Sequence, residues 1–482
     1  MIDIDISSDR SLINRKKRRI MGKIGFDNPR EPRRTALYDA EEWYQDFLAK
    51  RIERELVPVK RNNFGQYSMP VNFLTTVMEE AKAVEKVALF NIDHMAQILI
   101  KGRDAAKLLQ RVFPADIEQI NVGQCKYTLL LTPEGTVLDD LIMMRLAENE
   151  FILVINAGHD ITDTAILDGK EIKLISDADH IYSYKKAGEE VEITDISDRF
   201  VKIDIQGIYS YKVISELYGN RVLRNRNKPE KNMGFFTFNE FEYQGYKCIL
   251  SRTGYTNRWG WEMYFPKELA EGEFRRLVEA IYPLGGLVVG LGGRDENRLS
   301  AGAFGLPLYG HEYDRYHTPT NAPLFKAAFD MYKEDFVGKE TIAKEIAQGI
   351  DKRLVLFITE GIVSGRGIYK DGVRLGSVTS SINSPNVSLE KRQYIGSQRR
   401  GVNTEDGIAA IGLGWLKNNV FEVDEEGNDI LEKDGKPVRI KVEFFREDEQ
   451  RKPKGNPIVG YISGDGVNPA TAPRPLKKIE NL

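Results

Sequence analysis

Residues 127–131 and 137–145 form two apolar runs on either side of the turn Thr132-Pro-Glu-Gly-Thr136, and the second run holds two adjacent carboxylates, Asp139 and Asp140. The pattern predicts a hairpin of two buried strands. Successive strand residues face opposite sides, so one carboxylate of the pair must point to a buried side. An ionised group is costly there unless it is paired or put to chemical use. The alternation leaves open which of the two acids has the chemical role.

A chain of 482 residues with 41% hydrophobic content can bury a large core and divides into two or three domains. Its 69 basic and 72 acidic side chains leave a formal charge of −3, which offers no field for gathering nucleic acid or an anionic membrane surface. No apolar run approaches the roughly 20 residues that span a bilayer, and residues 1–10 are acidic rather than a basic-then-apolar leader. The expectation is a cytoplasmic protein acting on small molecules, with no nucleic-acid or membrane partner. Cys125 and Cys248 lie far apart without CxxC spacing. They read as buried thiols rather than parts of a disulfide framework, zinc ribbon or iron–sulfur site. The run Arg15-Lys-Lys-Arg-Arg19 reads as a solvated arm, and the Pro- and Lys-rich segment after Phe445 as a tail lying over a surface.

Between the ends there is one internal repetition: Ile98-Leu-Ile-Lys-Gly102 and Ile203-Asp-Ile-Gln-Gly207, each followed by a helical pattern. Each reads as strand, glycine turn and helix, the glycine suiting a turn with positive φ. In the first helix Ala105, Leu108, Leu109 and Val112 share a face and Pro114 stops it. In the second Tyr209, Val213, Ile214 and Leu217 share a face and Gly219 ends it. Strands are expected at 127–131, 151–155, 246–251 and 262–265, and then a helix carrying Phe274, Leu277, Val278 and Ile281. The fold class is therefore α+β, two related halves with helices on antiparallel sheets. After about residue 350 short strands at 353–359, 376–381, 408–415 and 439–444 predict a small β-barrel. The domain reading is an arm at 1–32, two α+β subdomains over 33–350, a barrel over 351–445 and a tail at 446–482.

Gly290-Leu-Gly-Gly-Arg294 follows an apolar run, but its GxGG spacing and place deep in the chain do not fit a dinucleotide fold. His94, His159, His180, His311 and His317 are scattered, so no metal site is expected. What remains is a set of polar residues in apolar or glycine-turn settings: Asp140, Asn156 after the run 151–155, Glu262 in Trp-Gly-Trp-Glu-Met, and Arg294. They serve either as four separate structural hydrogen-bonders or as one site for a flat, amide-rich heterocycle. A carboxylate, an amide and a guanidinium match the oxo and amino groups of an aminopyrimidinone edge.

The chain also resembles the folate-binding aminomethyltransferase (glycine cleavage T-protein) superfamily. The resemblance is carried in family order by Arg34-Thr-Ala-Leu-Tyr38, Ser68-Met-Pro-Val-Asn-Phe73, Phe90-Asn-Ile-Asp-His-Met95, Gly135-Thr-Val-Leu-Asp-Asp-Leu141, Val154-Ile-Asn-Ala157 and Gln206-Gly207. It continues through Arg252-Thr-Gly-Tyr-Thr256, Glu262, Arg294-Asp295, Arg298-Leu299, Leu308-Tyr-Gly310, Thr318-Pro319, Phe336-Val-Gly-Lys-Glu340 and Gly376-Ser-Val-Thr-Ser380. The resemblance implies a disc of three subdomains around a channel that binds tetrahydrofolate by its pterin. It places the key acid on Asp140, folate contacts on Tyr127, Asn156, Tyr255, Glu262, Arg294 and Tyr309, and a candidate acid on His94.

Within that superfamily, several departures from the glycine-cleavage enzyme point toward its tetrahydrofolate-dependent demethylases. Arg258 and Trp259 replace two acids, Ser300 stands where glutamate is usual, the segment 38–67 is rewritten and 390–407 is an insertion. Val122-Gly-Gln-Cys-Lys-Tyr127 also looks like the demethylase branch. The first expectation is methyl transfer from a small S-, N- or O-methylated donor to N5 of tetrahydrofolate. The second is aminomethyl transfer from a lipoyl-carrier protein, giving methylenetetrahydrofolate and ammonia. A third is a non-catalytic folate-binding accessory protein.

Overall fold

The hairpin is formed by strands Cys125–Leu131 and Val137–Ala147, with Leu129 opposite Asp140 and Leu130 opposite Asp139. The structure is a computed structural model describing residues 32–463 apart from 54–58, 74, 159–163, 168–169, 174, 302–304, 314–316, 321, 323–324, 331, 350–351, 386, 389–392, 395–408 and 418–438. The basic run at 15–19 and, apart from 393–394, the insertion at 390–407 lie outside the described residues.

The hairpin closes one edge of a five-stranded antiparallel sheet ordered Glu192–Asp195, Ala96–Lys101, Glu150–Ile155, Val137–Ala147, Cys125–Leu131. A six-stranded sheet follows the order Phe238–Tyr243, Tyr246–Ser251, Gly260–Pro266, Phe200–Gln206, Ala88–Asn91, Leu287–Val288. The halves exchange strands. Ala88–Asn91 and Ala96–Lys101 are consecutive in the chain yet lie in different sheets, as do Glu192–Asp195 and Phe200–Gln206. Each half lends its leading strand to the sheet of the other, so neither sheet is complete alone.

Gly102 and Gly207 have φ of 129° and 121°. A side chain on Gly207 would meet the Lys86 carbonyl at 2.5 Å, and one on Gly102 would strike the Glu190 carbonyl. Both glycines thus sit where the lent strand's lead-in passes the turn. Helix Ala105–Val112 buries the four predicted residues. Helix Ser210–Tyr218 buries Val213 and Ile214, but Tyr209, expected on that face, precedes the helix and is exposed. Helix Lys267–Ile281 buries Phe274, Leu277, Val278 and Ile281.

Helices cover the outer faces, with Leu108, Leu109 and Val112 against Ile98, Leu141 and Leu153 in one half. Val213, Phe274 and Leu277 pack against Ile203, Ile205 and Met263 in the other. The inner faces meet through Met144, Ile152 and Val154 against Phe238, Ile249 and Tyr264. The glycines around Leu291 serve close packing: a side chain on Gly290 would meet the Val71 carbonyl at 2.6 Å, and one on Gly293 would meet Val289 at 2.5 Å.

The C-terminal strands close a barrel in the order Lys352–Thr359, Ala409–Lys417, Val373–Ser384, Gly367–Lys370, Arg439–Glu447, Pro453–Ser463. The last strand corrects the expected tail from 446: Ile462 is buried and Ile458 packs against the barrel core. Arg298, fully buried, fastens barrel to disc. Its guanidinium donates to Asp295 at 2.8 Å, Glu312 at 2.7 Å and Ser380 at 2.7 Å.

Candidate active site

Strand alternation separates the two acids of the hairpin. Asp139 shares its face with Leu141 and Met143, toward the helices, while Asp140 shares its face with Ile142 and Met144, toward the second sheet. Asp139 is 3% exposed and Asp140 is half-buried. Asn156, which follows the neighbouring strand, ties the pair together. Its Nδ2 donates to Asp139 Oδ1 at 2.7 Å, to Asp140 Oδ1 at 2.8 Å and to the Asp140 carbonyl at 2.9 Å. Tyr127 donates to Asp140 Oδ2 at 3.2 Å. Burial and the charge of Asp139 push the Asp140 carboxyl up to about 7, against the hydrogen bonds from Tyr127 and Asn156. Asp139 is pushed well above the ordinary carboxylate range by burial and by Asp177. Asp140 thus exchanges a proton near neutrality on the face turned to the second sheet, while Asp139 is built into the wall.

The second sheet contributes an ionic ladder. Lys202, Asp204 and Gln206 alternate along Phe200–Gln206, on the face opposite Ile203 and Ile205, and Asp204 stands directly opposite Glu262. Lys202 Nζ lies 3.3 Å from Glu262 Oε2, which also accepts from Thr253 at 2.6 Å. Asp204 accepts from Gln206 at 2.7 Å through Oδ1 and from Arg294 at 3.3 Å through Oδ2. Arg294 in turn lies 5.6 Å from the centre of the Phe90 ring and 5.4 Å from that of Tyr255. Burial and the opposed Glu262 raise the Asp204 carboxyl, against Arg294. Burial also lowers the Lys202 ammonium, against Glu262.

The predicted residues converge. Asp140, Tyr127 and Asn156 form one hydrogen-bonded group; Arg294 lies beside Tyr255 and reaches Glu262 through Asp204, and the charge of Asp140 adds to the burial that raises the Tyr255 phenol. Tyr309 bridges to Tyr313 and packs with Tyr127 in the apolar cluster of Leu129 and Leu131. His94 is 4% exposed, and burial, Arg294 and Lys202 hold its imidazole well below its usual pKa. Near pH 7 the imidazole is therefore uncharged, and its Nδ1 has no partner among the described residues. Lys202, Asp204 and Tyr313 were not foreseen as site residues. The period-2 spacing of Lys202, Asp204 and Gln206 inside an apolar strand was the available signal for the first two.

Two of the departures noted in the sequence point away from this site. Trp259 is buried in the core of the second half, its ring 4.3 Å from the Arg252 guanidinium carbon. Ser300 is fully buried against Asn297 and Glu296. The rewritten segment 38–67 does reach it. Phe64 packs edge-on against His94 with ring centres 4.9 Å apart, and a side chain on Gly65 would meet Ala157, next to Asn156, at 2.5 Å.

The family model described as the GCVT N-terminal domain matches residues 58–329. An aminomethyltransferase of Clostridium botulinum is 30% identical over 395 residues, covering 81% of this chain and 94% of that one. One from Natranaerobius thermophilus is 30% identical over 424 residues, covering 86% and 99%. In fold the chain is similar to the glycine cleavage system aminomethyltransferase T from Bartonella henselae, with TM-score 0.65 and 23% identity over 89% of this chain and 96% of that one. The chain belongs to the glycine cleavage T-protein (aminomethyltransferase) family. It is a folate-dependent one-carbon transferase with tetrahydrofolate as its cofactor. The donor set fits that flat, amide-rich ring: a carboxyl near neutrality, an amide, a second carboxylate, a guanidinium and an unpartnered imidazole nitrogen.

Proposed function

We propose that the chain transfers an aminomethyl-derived one-carbon unit to tetrahydrofolate, with Asp140 as the group that handles the proton of the accepting amine. The observation that carries this reading is the Asp140 carboxyl, held through both oxygens by Asn156 and Tyr127 and poised at about 7. Bound there, tetrahydrofolate supplies the nucleophilic amine that accepts the carbon. Asp140 would take the proton that the accepting amine loses and give it to the departing ammonia, while the carrier's sulfur leaves as a thiol with the proton of the second folate nitrogen; the role of Asp140 is worth roughly 10²–10⁴ in rate. Asn156 and Tyr127 fix the direction of its lone pairs. Glu262 and Arg294 would hold the pterin edge, with Tyr255 beside Arg294 to fix the guanidinium. The names of the curated relatives support aminomethyl transfer, for which a lipoyl-carrier protein brings the donor. A cytoplasmic location belongs to the same reading.

Methyl transfer from a small S-, N- or O-methylated donor is the second reading. Trp259 and Ser300 no longer support it, since both face away from the site. The rewritten segment 38–67 favours it, because its Phe64 and Gly65 touch His94 and Ala157, next to Asn156. Incubation of the purified protein with tetrahydrofolate, first with an aminomethylated lipoyl carrier and then with methylated thioethers, betaines, amines and aryl ethers, separates the readings by mass spectrometry. Methylenetetrahydrofolate and ammonia support the first, and methyltetrahydrofolate the second. Folate binding without either product points to the accessory protein, and absence of folate binding overturns all three.

A further inference from the structure

The two carboxylates at the centre of the second sheet are not equivalent. Asp204 is fully buried, and both its oxygens are occupied, one by Gln206 and the other by Arg294. Glu262 receives Thr253 and Lys202 on the same oxygen, Oε2, and Oε1 has no hydrogen-bond partner among the described residues. Arg294 uses Nη1 on Asp204, and its remaining guanidinium N–H groups have no partner among the described residues.

We propose that Lys202 and Asp204 are positioning residues for pterin recognition: they occupy the inner atoms of Glu262 and Arg294, leaving Glu262 Oε1 and the outer guanidinium edge as adjoining acceptor and donor for an aminopyrimidinone edge. This rests on the folate-dependent reading above. The charge pattern supports it. Carboxylates directly opposite each other across a strand pair repel, and here each has its own cation, Lys202 on Glu262 and Arg294 on Asp204. Lys202 is 1% exposed and packs its ammonium against the Met95 sulfur at 3.7 Å and over the Tyr264 ring at 5.0 Å. It therefore cannot swing out to a ligand, and its effect must pass through Glu262. A carboxylate whose rotation is fixed by two groups on one oxygen is pre-organised on the other, and pre-organisation reduces the ordering cost of binding.

The test is isothermal titration of (6S)-tetrahydrofolate into the full-length protein and its Lys202→Met, Lys202→Arg and Thr253→Val variants, with a melting temperature for each. It is repeated with an analogue whose pterin 2-amino group is replaced by methyl. Lys202→Met is expected to raise Kd at least about tenfold, Lys202→Arg to restore most of the affinity, and Thr253→Val to raise Kd about threefold. The penalty for the 2-methyl analogue, large in the wild type, should shrink in Lys202→Met. In turnover, KM for tetrahydrofolate rises while kcat at saturating folate stays within about twofold of wild type. Wild-type affinity in Lys202→Met overturns the proposal, and so does a loss equal for cofactor and analogue, which a merely structural lysine would give. Should Lys202→Met fail to fold, Thr253→Val decides, and unchanged affinity there overturns the proposal. A wild-type protein that does not bind tetrahydrofolate overturns the folate reading itself, and this inference with it.

Discussion

The two halves share a five-strand order, to which the second adds Leu287–Val288 at its edge, and each has an exchanged leading strand and a glycine turn, yet within the shared strands they differ at one cross-strand pair. Aligning Gly102 with Gly207 sets Leu99 against Asp204 and Gln97 against Lys202. Leu99 faces Ile152, and both lie in the apolar layer between the sheets; Asp204 faces Glu262. One backbone position thus serves as core in one half and as site in the other. The charged version is tolerated because each carboxylate has a cation and a neutral donor within reach: Lys202 and Thr253 on Glu262, Arg294 and Gln206 on Asp204. The first half carries its acids one strand further out, on Val137–Ala147, where alternation buries Asp139 and turns Asp140 inward.

The strongest way to break this comparison is to dress the second half as the first. The triple variant Lys202→Gln, Asp204→Leu, Glu262→Ile is expected to fold with a lowered melting temperature, because removing the Lys202–Glu262 pair whole is close to neutral while Asp204→Leu leaves the Arg294 guanidinium without its carboxylate. Its Kd for tetrahydrofolate should rise about a thousandfold, or about 4 kcal/mol, by calorimetry. A loss below tenfold would mean that the ladder is only structural.

A contrasting ion pair sharpens the point, since Arg298–Glu312 holds the barrel rather than a ligand. Burial would raise the Glu312 carboxyl, but Arg298 and His311 outweigh it and hold it at about 2. A carboxylate depressed in the folded state adds stability above its unfolded pKa of 4.5 and loses it as pH falls toward 2. Glu312→Gln leaves the buried Arg298 guanidinium with Asp295 as its remaining counter-charge and should cost up to about 3 kcal/mol at pH 7 by urea denaturation. Folate affinity should hold in whatever fraction stays folded.

A smaller effect concerns Asp140. Its carboxyl is raised from 3.8 to about 7, so the folded state holds the extra proton between those values, and its contribution to stability declines as pH rises through that window. As the proton acceptor it must be ionised. The ratio kcat/KM should therefore fall about tenfold per pH unit below pH 7 and level off above it. A profile flat from pH 5 to 8 would remove Asp140 from the proton transfer.

Much of this was legible in local pattern. The strand–glycine–helix repeats, the hairpin with its acid pair and four of the barrel strands follow from periodicity and turn residues, and Asp140, Asn156, Glu262 and Arg294 stood out as polar residues in apolar settings. The exchange of leading strands was not legible, because pairing of 88–91 with 203–206 depends on contacts over a hundred residues apart. Strand Pro453–Ser463 was hidden by its prolines. Pro453 opens the strand and Pro457 falls beside the register shift near Phe445, two places where a missing N–H is tolerated. Trp259 and Ser300 misled, because a departure in sequence does not say which way its side chain points. Lys202 and Asp204 were not legible as site residues because their meaning depends on the partner strand Gly260–Pro266, which sets Asp204 opposite Glu262.

The most direct test is rapid-quench single turnover of Asp140→Asn and Asp139→Asn, with folate binding measured in parallel. The account predicts that Asp140→Asn binds tetrahydrofolate within a few-fold of wild type and loses one-carbon transfer by about 10³, while Asp139→Asn keeps more than about a tenth of the rate. Transfer at near wild-type rate by Asp140→Asn, or an equal loss in Asp139→Asn, would contradict it.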